Sequence, residues 1–225
     1  MKTQLLLCSA GLLLMTTFAN AGPVLLTGTP SDSYNSPAID TPSPNLGGIL
    51  INFDSLTPFT AYSTYNDPSG VSIYSPDGLV VYPYSTESGP NELFDNSVDG
   101  SADIDIDYAP GATAIGVGIA DSDITAGGSP VTIYLQALNS SGAGFGTLFS
   151  VTLPETDPNP GNGYFVIEDT TPDIYGVQIT QPVGNSALYS GLAIDDVQVA
   201  PEPSSFVLLT AAAALFGAFR MRQRA

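Results

Sequence analysis

Between Ile49 and Val199 the sequence alternates short β-branched and aromatic runs with clusters of Gly, Pro, Asp, Asn and Ser. This rhythm constrains the fold more than any other feature. Apolar runs of roughly 4–8 residues bounded by turn formers suit strands and are too short for helices. The clearest are Ile49–Phe53, Val71–Ser75, Leu79–Tyr84, Ala102–Tyr108, Thr113–Ala120, Val131–Leu138, Thr147–Leu153, Tyr164–Glu168, Tyr175–Thr180 and Leu192–Val199. Val131, Ile133 and Leu135 alternate with Thr132, Tyr134 and Gln136, as a strand with one buried face requires. Asp67-Pro68-Ser69-Gly70, Pro76-Asp77-Gly78, Gly127-Gly128 and Gly161-Asn162-Gly163 read as turns. The expectation is an all-β domain over 48–200, an antiparallel, jelly-roll-like β-sandwich. The absence of an internal repeat argues against a propeller or β-helix.

Charge narrows the function. The only bases are Lys2, Arg220, Arg222 and Arg224, and there is no His. Every acid except Glu202 lies between Gly22 and Ala200, so that segment holds 21 carboxylates and no basic side chain. Such a domain cannot grip nucleic-acid phosphates and forms no side-chain ion pairs. With no His or Lys, and its one Cys at position 8, it lacks the usual nucleophile–base combinations. The chain is nevertheless 43% hydrophobic, enough for a core.

The ends read as addresses. Lys2, the apolar run Leu5–Met15 and Ala19-Asn20-Ala21 have the parts of a signal peptide over 1–21, with cleavage after Ala21. Residues 22–47 are rich in Pro, Ser, Thr and Gly and read as a loose leader. The chain closes with Pro201-Glu202-Pro203, an apolar stretch 206–219 and the cluster Arg220, Arg222 and Arg224. At 1.5 Å per helical residue the stretch reaches only about 21 Å, short for a bilayer core of roughly 30 Å. The arginines would stay cytoplasmic. In its order of parts, 201–225 resembles the PEP-CTERM sorting signal of Gram-negative bacteria. The resemblance implies export through the Sec pathway, transient membrane anchoring through 206–219 and processing near the Pro-Glu-Pro by exosortase, a membrane-embedded cysteine transpeptidase. The body also resembles a β-sandwich ectodomain of PEP-CTERM proteins. It does so through Ile51-Asn52-Phe53-Asp54 at its start, Ala114 to Ile119 in the middle, and Ala193-Ile194-Asp195-Asp196-Val197-Gln198-Val199 at its end. That family supplies no activity.

Candidate chemistry rests on oxygen ligands. The apolar phase slips by one residue at Asp195-Asp196: Leu192 and Ile194 have one parity, Val197 and Val199 the other. This predicts a β-bulge. If first and last strands pair, Asp54 would join the two aspartates as a structural calcium site, calcium being a hard cation that takes six to eight oxygens. Asp121 and Asp123 before Gly127-Gly128 are a weaker calcium candidate. Asp103, Asp105 and Asp107 share one strand face, opposite Ile104, Ile106 and Tyr108. They read as a solvated face that deters edge aggregation, or as paired carboxylates for glycoside hydrolysis. Thr113–Ala120 carries Ile115, Val117 and Ile119 on one face and only Ala or Gly on the other. The bare face signals either close approach of a neighbour or a ligand groove. Tyr62, Tyr65, Tyr74, Tyr82 and Tyr84 would suit a sugar-stacking surface, although the chain has no Trp. The sequence therefore points to an exported, non-catalytic protein of the cell surface or the extracellular polysaccharide matrix, with a structural or adhesive role. A carbohydrate-binding module is the alternative, and a glycoside hydrolase the distant third.

Overall fold

The computed structural model describes residues 22–27, 48–83, 91–97, 101–121, 131–153, 162–171, 173–182 and 192–201. The described residues are all-β, with no helix among them. The eleven strands are β1 (Val24–Thr27), β2 (Ile49–Ile51), β3 (Ala61–Asn66), β4 (Val71–Tyr82), β5 (Glu92–Asp95), β6 (Ala102–Asp121), β7 (Val131–Leu138), β8 (Gly144–Leu153), β9 (Asn162–Glu168), β10 (Ile174–Gln181) and β11 (Leu192–Pro201). Every pairing among them is antiparallel.

One strand organises the molecule. The first part of β6 pairs with β4 and β10, and β10 continues through β7 to β8. The second part of β6 pairs with β9 and β11. Ile104, Ile106 and Tyr108 point inward at even positions; Ile115, Val117 and Ile119 point inward at odd ones, and all six join a single core cluster. The parity changes across Tyr108–Ala112, where the pairing with β10 shifts register and Gly111 takes φ 81°. Glycine adopts that angle without the Cβ penalty. The bulge turns the strand, so its two halves line opposite layers of a sandwich around one core. Strand β4 also changes neighbours along its length, although its inward residues Val71, Ile73, Ser75, Leu79 and Val81 keep one parity. Val71 to Tyr74 pair with β6, and Leu79 to Tyr82 pair with β5.

Three segments read as turns or loose chain differ in the structure. Asn162 and Gly163 of the expected turn Gly161-Asn162-Gly163 already belong to β9, opposite Ala120 and Ile119. Pro76-Asp77-Gly78 is an irregularity inside β4 instead of a turn between strands, held by the Asp77 amide donating to Ser75 Oγ at 3.2 Å. Within the leader, Val24–Thr27 forms β1 and pairs with β9. Residues 28–47 lie outside the described residues, as do 1–21, where a signal peptide is expected, and the terminal apolar stretch 206–219.

The bare face of Thr113–Ala120 is covered. Tyr164 and Val166 of β9 bury against Ala114 and Ala200 on the outside of the second layer. A Cβ on Gly116 would lie 2.5 Å from the Tyr164 hydroxyl and 3.0 Å from its ring. The glycine thus makes room for a tyrosine, and the groove expected as an alternative is filled. Burial, and then the negative charge of Asp196, push the Tyr164 phenol up from its ordinary pKa, and its hydroxyl donates to Gln198 Oε1 at 3.4 Å. We expect Gly116→Val to destabilise the domain by about 2 kcal/mol through overpacking. Adding Tyr164→Ala should recover part of that loss, because it removes the clashing ring. Urea denaturation of the single and double variants checks this; additive losses would refute the contact.

Candidate functional site

The outer face of the first layer carries two adjoining polar rows. Register places Thr64 opposite Tyr74, Tyr74 opposite Asp105, Asp105 opposite Gln178, and Gln178 opposite Gln136. One row therefore crosses five strands, β3, β4, β6, β10 and β7, about 19 Å at the usual strand spacing. A second row beside it runs Asp103, Thr180, Tyr134 and Ser150. The strand alternation that buries Ile104, Ile106, Val177, Ile179 and Leu135 in the core sends these polar side chains outward. Tyr74 is 43% exposed, and Tyr134, Gln136 and Gln178 are half-buried.

Asp105 sits at the centre of the face, between Asp103 and Asp107 on its own strand. Its Oδ1 is buried, and no hydrogen-bond partner reaches it among the described residues. Burial, then the charges of Asp103 and Asp107, raise its pKa to about 6, with the Gln178 amide offsetting part of the rise. Burial also pushes Asp107 up. The Gln178 amide donates to Asp103 Oδ1 at 3.1 Å. The face combines acceptors, amide groups that both donate and accept, and two tyrosine rings, and it has no cation. A ligand rich in hydroxyl groups can donate to the carboxylates and exchange hydrogen bonds with the amides and hydroxyls of such a face.

The tyrosines expected to form one stacking surface divide. Tyr62 and Tyr65 turn toward the core, edge-on to each other at 5.7 Å, with Tyr65 edge-on to Phe53 at 5.4 Å. Tyr82 packs edge-on to Phe59 at 5.5 Å and tilted to Phe94 at 5.9 Å, away from the polar row. Tyr84 lies outside the described residues. Of the four described, only Tyr74 belongs to the face. Tyr134, Gln136 and Gln178 join it through sheet register, which local spacing in the sequence does not reveal.

The bulge at Asp195-Asp196 is present: the pairing of β11 with β6 jumps between Asp195 and Gln198, and Asp196 takes φ 46°. First and last strands do pair, β2 with β11 from Ile51 opposite Val197. Asp195 and Asp196 are buried, and Asp195 Oδ1 accepts the Asp196 amide at 2.8 Å. Among the described residues, however, no three Asp, Glu, His or Cys side chains converge as a metal-binding group. Asp121 ends β6, and Asp123 lies outside the described residues. Pro201 closes β11, whereas Glu202, Pro203, Arg220, Arg222 and Arg224 lie outside the described residues. No helix among the described residues is long and apolar enough to cross a membrane.

No family model matches the chain, and no curated protein matches it. Among solved structures it is similar to the K2 cleaved adhesin domain of Lys-gingipain, with a TM-score of 0.42 and 17% identity over 67% of this chain and 98% of that one. A carbohydrate-binding module specific for non-crystalline cellulose gives a TM-score of 0.37 and 11% identity, over 54% of this chain and 79% of that one. A second module, solved with β-1,4-galactotriose, gives 0.35 and 15%, over 67% of this chain and 94% of that one. At TM-scores below 0.5 these likenesses carry no weight in assigning a function, which rests on the chain's own residues.

The raised pKa of Asp105 has a testable sign. Its folded pKa, about 6, lies above the unfolded value of 3.8. The folded state therefore holds the proton more tightly, and the stability this confers is present below about pH 4 and lost as pH rises through about 6. Asp105→Asn should flatten that slope and raise stability at pH 7 by roughly 1 kcal/mol, after discounting for partial exposure. Thermal melts of both proteins from pH 4 to 8 check this, and parallel pH profiles would contradict it.

Proposed function

We propose that this chain is an exported, non-catalytic, jelly-roll-like sandwich that binds a neutral polysaccharide on the outer face of its first layer. The observation that carries the reading is the five-strand row in which Tyr74, Asp105, Gln178 and Gln136 stand side by side. Sugars present hydroxyls that donate to carboxylates and exchange hydrogen bonds with amides, and apolar ring faces that pack on tyrosine. A row about 19 Å long suits several linked pyranose rings better than a single sugar. With 21 carboxylates and no base over 22–200, uronic-acid polymers would be repelled. Binding of this kind would hold the protein in an extracellular polysaccharide matrix, which gives the structural or adhesive role a physical basis.

The handling of the chain belongs to the same proposal. The signal peptide would direct Sec export, and the tail resembling a PEP-CTERM signal would anchor the protein through 206–219 until exosortase processed it near Pro201-Glu202-Pro203. The protein would then reach the cell envelope or surface of a Gram-negative bacterium. Mass spectrometry of the extracellular protein should find the chain ending near that motif. Recovery of Arg224 on secreted material would refute the processing.

Tyr74→Ala and Gln178→Ala should each weaken binding to a neutral β-linked polysaccharide about tenfold, the effect of losing roughly 1.4 kcal/mol of contact. Affinity electrophoresis and a glycan array measure this, with circular dichroism confirming the fold. A wild-type protein that retains no glycan, or variants that bind as it does, would overturn the reading. Asp105 with its elevated pKa also resembles half of an acid–base pair. Release of reducing ends from a bound glycan, abolished by Asp105→Asn, would move the assignment to hydrolysis.

A further inference from the structure

Two oxygen atoms near the start of β5 are buried with no hydrogen-bond partner among the described residues: Asp54 Oδ1 and Asn91 Oδ1. Asn91 is only 3% exposed. Its Nδ2 donates to the Asp54 carbonyl at 2.9 Å and to the Leu56 carbonyl at 3.0 Å. Those two bonds fix which end of the amide is oxygen, because the flipped amide would set Oδ1 against two carbonyl oxygens. Asp54 itself lies in the turn that Asn91 clips, closed by the Leu56 amide donating to the Phe53 carbonyl at 2.9 Å. One hydrogen-bonded unit therefore carries two acceptors with nothing to accept from.

The donor cannot be a basic side chain, since none exists between Gly22 and Ala200. Leaving a buried polar group unsatisfied costs about 1–3 kcal/mol, and more for a charged one. No neutral donor among the described residues reaches either atom, so the partner that relieves this cost comes from solution, as water or as a cation. A carboxylate oxygen and an amide oxygen, with no nitrogen or sulfur, form the ligand chemistry of a hard cation.

We propose that Asp54 and Asn91 bind a hard divalent cation, calcium being the best fit, whose remaining ligands are waters and carbonyl oxygens. The ion would tie the turn after β2 to the start of β5. This differs from the grouping expected from sequence, where Asp54 served with Asp195 and Asp196. Register brings that bulge close, because Ile194 lies opposite Leu93 and Val197 opposite Ile51. The bulge carboxylates have other engagements: Asp195 holds the Asp196 amide, and the Asp196 charge acts on Tyr164. The proposal goes beyond glycan binding and does not depend on it.

The test uses the secreted protein freed of metal with chelator and titrated with calcium chloride. Equilibrium dialysis should count one saturable calcium per chain, and Tm should rise by about 5 °C at saturation. Asp54→Asn should remove both effects, and Asn91→Ala should weaken calcium binding at least tenfold. Asp195→Asn should leave calcium binding intact. Absence of saturable binding to the wild-type protein would overturn the proposal, as would calcium binding retained in Asp54→Asn. Dialysis of the wild-type protein decides the matter even where a variant fails to fold.

Discussion

Every carboxylate in this domain must be accommodated without a basic side chain, and much of the structure follows from that constraint. The buried acids are held by neutral donors. Asp95, fully buried, accepts from Ser75 Oγ at 3.0 Å, the Ser97 amide at 3.2 Å and the Asp103 amide at 3.0 Å. Burial still pushes its pKa up, against the pull of those bonds. Asp169 Oδ1 accepts from the Thr171 amide at 3.2 Å and the Thr170 hydroxyl at 3.3 Å, while the Thr171 hydroxyl donates to Asp173 at 2.8 Å. Asp105 takes the other route open to a crowded acid and holds its proton more tightly. Hydrogen bonding and protonation thus do within this domain what ion pairs do elsewhere, and the binding of a cation from solution would be a third way.

With ion pairs absent, cohesion comes from the strand ladders and from one apolar core that both layers share. β6 belongs to both. Its bulge at Tyr108–Ala112 reverses which parity faces inward, so a single strand presents Asp103, Asp105 and Asp107 outward from one layer and Gly116 and Gly118 outward from the other. The two outer surfaces are therefore chemically opposite. One is wet and acidic; the other is bare enough for Tyr164 to lie flat against it and become buried.

Much of this architecture was legible in the sequence, and the failures have physical causes. Val131–Leu138 forms a strand over the residues its alternation marks, and the one-residue slip at Asp195-Asp196 does mark a bulge. Three strands escaped notice. β3 breaks its own alternation with an irregularity between Tyr62 and Thr64, which is also why Tyr62 and Tyr65 can both face the core. β5 reads Glu-Leu-Phe-Asp, and its flanking acids look like loop residues although both are buried. β1 lies in Pro- and Thr-rich sequence and owes its strand character to its neighbour β9. Pro76-Asp77-Gly78 looks like a chain reversal, and Ala102–Tyr108 and Thr113–Ala120 look like separate strands, but in both places one strand continues through the break. The polar outer face was half visible. Its aspartates alternate along one strand, whereas Tyr134, Gln136 and Gln178 reach it only through pairing across sequence separations that no local pattern encodes.

The same register governs stability and the polar outer face. Asp95 holds the backbone amide of Asp103, while the Asp103 side chain accepts from Gln178. The first bond pins the start of β6 to β5 and, through Ser75, to the irregularity in β4. The second ties the outward face of β6 to β10. Because side chains alternate with a period of two, a one-residue slip of β6 would drive three aspartates into the core and expose Ile104 and Ile106. In a domain without bases, nothing in the interior would receive those charges. The acids that make the outer face polar therefore also forbid the alternative register, and the inward isoleucines and the outward carboxylates enforce one another.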